Sequence, residues 1–118
     1  METITALLAL NALAQETRLT VFRLLVRHEP DGLAAGEIAR RVGVPQNTLS
    51  AHLSILARAG LIDSKRQSRS IRYRAALGPF RDLVGFLAND CCAGRPEICA
   101  PVMRELELCC LPEDAGRD

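Results

Sequence analysis

Hydrophobic side chains recur at helical spacing in four consecutive parts of the chain. Apolar positions three and four residues apart predict helices over 4–13, about 16–27, about 35–42 and about 46–59. A turn-forming stretch at residues 29–32 separates the second predicted helix from the third. Gly43 stands where a glycine commonly ends a helix, and Val44-Pro45 connects the third predicted helix to the fourth. A short turn therefore joins these two helices.

The region after the fourth predicted helix changes to the alternation typical of strands. Residues 61–66 and 70–75 are predicted strands, joined by a polar turn at 67–69. Apolar positions then repeat at helical spacing in a last helix predicted over about 79–89. Residues 91–118 form a tail that contains every cysteine of the chain.

Length and composition fit one small globular domain. The chain has 118 residues, of which 48% are hydrophobic and 25% charged. Aromatic residues make up only 3%, so stacking platforms for single-stranded nucleic acid are not expected. No stretch is long and apolar enough to span a membrane, and no secretory leader is evident at the N-terminus. We therefore expect a cytoplasmic protein without a membrane partner.

Positive charge is concentrated in one segment, although the net charge is only +1. Between residues 58 and 74, six Lys or Arg residues face a single acid, Asp63. Lys and Arg attract the phosphates of duplex DNA, and small polar side chains on a helix reach base edges in the major groove. The predicted DNA contacts are Gln46, Asn47, Thr48, Ser50, Ala51, Ser54, Arg58, Arg66, Arg69 and Arg72. His52 lies beside the apolar stripe of the same helix, where its position fits either a structural role or a DNA contact.

Three separate stretches of the chain resemble the ArsR/SmtB family of metal-sensing repressors. Residues 12–19 (ALAQETRL), 44–62 (VPQNTLSAHLSILARAGLI) and 69–74 (RSIRYR) are similar to the family's helix entry, recognition helix and wing. The resemblance covers about residues 5–90. It implies a mainly α fold with a small β-hairpin wing, the winged helix-turn-helix, in a homodimer that binds double-stranded operator DNA. The first and last helices of such a dimer pack across its twofold axis.

The resemblance also implies a division of the chain and one local departure. Residues 1–90 would form the DNA-binding and dimerisation domain, and residues 91–118 a cysteine-rich tail that binds the inducer. Pro45 stands where the family often has a serine that caps the recognition helix. We therefore expect this helix to begin without a side-chain cap.

Cys91, Cys92 and Cys99 form the candidate metal site directly after the last predicted helix. Adjacent cysteines are poor disulfide partners, because neighbouring Cα atoms are ~3.8 Å apart and a bridge usually needs at least ~4.4 Å. Three thiolates select soft acceptors, and trivalent arsenic takes three thiolates in a pyramid. Some ArsR/SmtB members are similar in carrying a Cys-Cys pair just after the last helix and a third cysteine several residues later.

These features predict a repressor that releases DNA when As(III), or Sb(III), binds the three cysteines. One alternative is a sensor of a soft divalent metal such as cadmium, lead or zinc, with Cys109 or Cys110 as a fourth thiolate for zinc. Another is a repressor of the same fold that senses thiol oxidation. An arsenate reductase is less expected, because thiol reductases use a Cys-x-x-Cys spacing that this chain lacks. We therefore do not expect an enzyme.

Overall fold

A computed structural model describes residues 1–90, 97, 100, 101 and 104, with only the backbone at Asn89 and Asp90. The described part is mainly helical, with a small sheet. Its elements are α1 (Thr3–Leu13), α2 (Glu16–Arg27), β1 (Leu33–Ala34), α3 (Ala35–Val42), α4 (Gln46–Arg58), β2 (Ile62–Gln67), β3 (Ser70–Ala75) and α5 (Leu77–Gly85). A π-helical turn, Phe86–Asp90, follows α5. The predicted fold class, a helical domain with a β-hairpin wing, is confirmed.

Contacts within the chain group it into two compact units. The first is Met1–Arg81, which contains α1 to α4 and the whole sheet. The second is Asp82–Asp118, in which Leu83 and Ala88 are buried. The functional division predicted at residue 90 stays a prediction. Within the described residues, no helix is long and apolar enough to cross a membrane.

The core of the first unit is aliphatic, as the low aromatic content predicts. The stripe on α4 recurs at i, i+4 and i+7 and is almost completely buried, as Leu49, Leu53 and Leu56. Val21 and Leu25 of α2 and Ile38 of α3 have no exposed surface. The rings of Phe22 and Phe80 meet at a centroid distance of 5.2 Å and a tilt of 52°. This packing holds α4 with its apolar stripe inward and its polar side outward.

The predicted strand pair belongs to a three-stranded antiparallel sheet, in the order β1-β3-β2. The sequence did not predict β1, in which Leu33 pairs with Tyr73 and Ala34 with Arg72. Two residues are too few for alternation to indicate a strand. Gly32 precedes β1 at φ +74°, and a Cβ there would overlap the Tyr73 carbonyl oxygen. The close approach of this loop to β3 therefore requires a glycine.

The helix ends agree with the sequence expectations except at α5. Gly43 ends α3 in the left-handed conformation, with φ 81°. Pro45 precedes α4 with no side-chain cap hydrogen bond. α5 begins at Leu77 rather than Pro79, because a proline is compatible with the first turn, where backbone N–H groups lack helical partners. Its α-helical part ends at Gly85, since the chain continues as the π-helical turn.

Candidate DNA-binding surface

The seven DNA contacts predicted on α4 are all exposed to solvent. A rotation of about 100° per residue places Asn47, Ala51 and Ser54 opposite the buried stripe. Arg58 extends this face at the end of the helix, where its Nη2 donates to Ser54 Oγ at 3.1 Å. The structure thus brings together a row of small side chains, polar at Asn47 and Ser54 and apolar at Ala51, that ends in a cation.

In the first turn of α4, the side chains of Gln46 and Asn47 have contacts within the protein that the sequence did not predict. Gln46 Oε1 lies 3.8 Å from the position of a Cβ at Gly36, so this side chain leans toward the start of α3. Asn47 Oδ1 accepts a 3.0 Å hydrogen bond from the Thr48 backbone N–H, which leaves the Asn47 amide group as a donor. Asn47 therefore belongs to the centre of the outward face and Gln46 to its edge.

The wing, residues 62–75, carries positive charge at its exposed end. Arg66 and Arg69 are exposed and form no ion pair with any described residue. Nearer the base, Arg74 Nε lies 3.6 Å from Asp63 Oδ1 on the neighbouring strand. The single acid of the wing is thus paired at the base, and the positive charge at the end is left for an anionic partner.

Arg72 is held differently from Arg66 and Arg69. Its Nε donates to the Asp31 carbonyl oxygen at 3.1 Å, and its Nη2 donates to the Gly32 carbonyl oxygen at 2.8 Å. The guanidinium therefore fastens the loop before β1 to β3. Strand alternation places Arg72 on the polar face, but it contains no signal for a loop that covers this face. The DNA contact predicted for Arg72 stays a prediction.

His52 contacts the protein itself, which supports a structural role for this side chain, whereas a DNA contact of His52 stays an open prediction. Its side chain is half-buried, and its Nδ1 lies 3.4 Å from Arg18 Nη1. A guanidinium has donors only, so Nδ1 is the acceptor. Sequence reasoning did not single out Arg18, whose partner is 34 positions away in the chain.

Proteins similar in sequence to this chain support a DNA-binding role for this surface. A family model described as a helix-turn-helix domain matches residues 13–65. The nodulation protein NolR of Rhizobium meliloti is 32% identical over 80 residues, which are 68% of this chain and 63% of NolR. A probable mercury resistance operon repressor of Streptomyces lividans is 30% identical over 95 residues, covering 73% of this chain and 74% of that protein.

Solved structures agree with these relatives. An ArsR-like transcriptional regulator from a Rhodococcus species matches with a TM-score of 0.65 and 27% identity, over 89% of each chain. The chain belongs to the ArsR/SmtB family. A homodimeric winged helix-turn-helix DNA-binding domain from Mycobacterium bovis matches with a TM-score of 0.60 and 26% identity, over 77% of this chain and 84% of that one.

As an ArsR/SmtB member, the protein is a DNA-binding transcriptional regulator. Helices α3 and α4 form its helix-turn-helix. Arg40 and Arg41 of α3 both form ion pairs with Glu37. Arg41 Nε lies 2.6 Å from Glu37 Oε2. Hydrogen bonds from Arg40 and then Arg41 hold the pKa of Glu37 below its ordinary value. This carboxylate offsets one of the two positive charges, so α3 keeps a net charge of +1 beside α4.

The predicted metal site of this ArsR/SmtB protein lies outside the described residues. This holds for Cys91, Cys92 and Cys99, and also for Cys109 and Cys110. In the part of the chain that the structure describes, no cluster of three or more metal-ligating residues occurs. The inducer site therefore rests on the sequence.

Proposed function

We propose that this protein is a repressor that binds operator DNA as a homodimer and leaves it when As(III) binds Cys91, Cys92 and Cys99. The observation that carries the DNA-binding part is the exposed polar face of α4 together with the wing. The wing's Arg66 and Arg69 have no ion-pair partner among the described residues. Phosphates supply the negative charge that such a surface lacks.

The outward face of α4 has the chemistry needed to read a major groove. The Asn47 amide can donate to a base edge, and Ser50 and Ser54 hydroxyls can donate or accept. The Ala51 methyl group can contact the methyl group of thymine. Arg66 and Arg69 would hold phosphates and so set the position of α4 along the duplex.

The exposed apolar face of α1 supports the homodimer. Ile4, Leu7 and Leu8 are 74%, 59% and 54% exposed, and their spacing places them on one side of the helix. Exposed apolar area is unfavourable by about 25 cal/mol per Å², so a second copy of the chain would stabilise this face. A twofold dimer presents two α4 helices about one DNA turn, ~34 Å, apart, which suits an imperfect palindrome.

The cysteine pattern supports a soft inducer. Three thiolates suit As(III) or Sb(III), which need no fourth ligand. A relative named as a probable mercury resistance operon repressor favours a second candidate, a soft divalent metal such as mercury or cadmium. In either case, the bound ion has only to favour a state that binds DNA less well.

Selection followed by titration tests the proposal. The protein is incubated with a randomised duplex pool, and the enriched duplex is then labelled for fluorescence anisotropy. We expect an imperfect palindrome, bound by a dimer and released by arsenite. Failure to enrich any sequence would contradict the DNA-binding part. Release by mercury or cadmium but not by arsenite would identify a soft divalent metal as the inducer instead of As(III). Higher transcription in the presence of the protein than in its absence, from a reporter carrying the duplex, would contradict repression.

A further inference from the structure

We propose that Arg18 is a positioning residue for DNA recognition, because its guanidinium joins the end of α1 to His52 on α4. This inference rests on the proposed role of α4 in reading DNA. Every residue involved lies in the unit Met1–Arg81. In this role Arg18 acts through α4 rather than by contacting bases or phosphates.

The backbone of Arg18 is itself held in place. Arg18 lies in the first turn of α2, where the Gln15 side chain caps the helix by accepting from the Arg18 N–H at 2.9 Å. Because this turn is capped, the backbone position from which the Arg18 side chain extends is fixed. The direction of its guanidinium then depends on its partners.

Two of these partners lie in the last turn of α1. Arg18 Nε donates to the Ala12 carbonyl oxygen at 2.7 Å, and Nη2 donates to the Asn11 carbonyl oxygen at 3.4 Å. The Asn11 carbonyl oxygen also accepts from the Ala14 N–H at 3.2 Å. The last carbonyls of a helix have few backbone partners, and a cation at this end is favourable. Arg18 thus closes the C-terminal end of α1.

The third partner lies on α4. Arg18 Nη1 donates to His52 Nδ1 at 3.4 Å. His52 is located between the buried stripe and the outward face, directly after Ala51 and two residues before Ser54. A guanidinium is planar and its donors point in set directions, so contacts on two helices restrict how α4 can rotate about its axis. Side chains that read base edges need placement within about 0.5 Å.

A groove lies beside this link, between α1 and α4. The groove has a volume of about 330 Å³ and opens between the two helices. It is lined by Leu8, Asn11, Ile55, Arg58 and Ala59. The side chains of α1 and α4 that line this open groove leave space between the two helices, so the polar link through Arg18 adds a restraint beside the buried stripe of α4.

The same link connects two functional faces. Asn11, whose carbonyl oxygen Arg18 binds, also lines the groove next to Leu8 of the exposed α1 face. A second copy that covers this face would therefore act on the segment that Arg18 ties to α4.

Conservative substitutions at both ends of the link test the proposal. Arg18→Lys keeps the charge but loses the forked donors, His52→Leu removes the acceptor, and His52→Gln retains a neutral acceptor. Arg23→Lys, at an exposed position on the same helix, is the matched control. Each folded variant is titrated by anisotropy with the selected duplex and a scrambled duplex at several salt concentrations.

We expect Arg18→Lys and His52→Leu each to weaken binding of the selected duplex about tenfold. A change of this size lies within the usual range of coupling between two side chains that contact each other. Binding of the scrambled duplex and the slope of log K against log salt should not change, because no phosphate contact is lost. His52→Gln and Arg23→Lys should resemble the original protein. The double variant of Arg18→Lys with His52→Leu should be no weaker than either single one.

Three results would overturn this role. One is a folded Arg18→Lys protein, or a folded His52→Leu protein, that prefers the selected duplex as strongly as the original. Another is a salt slope lowered by about 1, which identifies a phosphate contact. The third is additive effects in the double variant. If the original protein enriches no duplex at all, the proposed DNA-binding function fails instead, so the two failures are distinguishable.

Discussion

Arg72 Nη2 donates a 2.8 Å hydrogen bond to the Gly32 carbonyl oxygen, although 40 positions separate these residues in the chain. Together with the bond from Arg72 Nε to the Asp31 carbonyl oxygen, it fastens the loop after α2 to the base of the wing. The wing carries the exposed Arg66 and Arg69, and this attachment is one of the contacts that hold it on the rest of the unit.

We expect Arg72→Ala to destabilise the fold and Arg69→Ala to affect DNA binding. Loss of two partly exposed hydrogen bonds from a charged donor should lower the free energy of unfolding by about 1–2 kcal/mol. Arg69→Ala should leave that free energy within about 0.5 kcal/mol and lower the salt slope by about 1. Urea denaturation and anisotropy at several salt concentrations measure the two effects. A reduced slope in folded Arg72→Ala would instead support the predicted phosphate contact.

Substitutions on the outward face of α4 should change base preference. Asn47→Ala and Ser50→Ala should each lose about 1–3 kcal/mol of binding to the selected duplex and bind the scrambled duplex as before. Gln46→Ala should lose less, because its side chain leans toward Gly36. Competition between duplexes with single base changes measures this preference. An equal loss on both duplexes would show that these side chains contact the backbone of DNA.

Substitution of the proposed inducer ligands should separate sensing from DNA binding. Cys91→Ser, Cys92→Ser and Cys99→Ser should each bind the selected duplex normally but remain bound when arsenite is added. A coupling free energy of about 1–3 kcal/mol between arsenite binding and DNA binding is sufficient for release in the original protein. Cys109→Ser and Cys110→Ser are the controls and should still release DNA. If only these two lose release, the sensing site is the second cysteine pair.

A charge on the exposed face of α1 should disrupt the dimer. Leu7 points away from the buried Ala6, Ala9 and Ala12, so Leu7→Glu would place a carboxylate within the proposed interface. Burial of an unpaired charge is strongly unfavourable, and sedimentation should show a monomer at concentrations where the original protein is a dimer. Thr20→Glu, at an exposed position of α2, should remain dimeric. A dimeric Leu7→Glu protein would place the interface elsewhere.

Glu37→Gln should change how stability depends on pH. The pKa of Glu37 lies below its ordinary value in the folded protein, because Arg40 and Arg41 bond to the carboxylate. Its contribution to stability is therefore present near neutral pH and is lost as the pH falls through the lowered pKa. Urea denaturation should show a less stable variant near neutral pH and a smaller difference in acid. A difference that grows in acid would contradict this sign.

The sequence alone determined the elements whose signals are local. The apolar stripe Leu49, Leu53 and Leu56 recurs within one helix, and its period is sufficient to orient α4. Gly43 and Pro45 likewise mark the turn between α3 and α4, because the end of one helix and the start of the next depend on backbone conformations of single residues. The exposed positions of the reading face follow from the same period.

Only the tertiary structure decided which polar side chains hold the fold and which remain available for DNA. Arg72 and Arg69 belong to the same basic segment, yet one bonds to the loop before β1 and the other is exposed. His52 meets Arg18 across 34 positions of the chain. Hydrogen bonds depend on distance and direction in space, so residues remote in the chain become partners only after the helices pack. A periodic pattern describes which face a residue occupies, whereas its partner depends on what the rest of the chain places opposite.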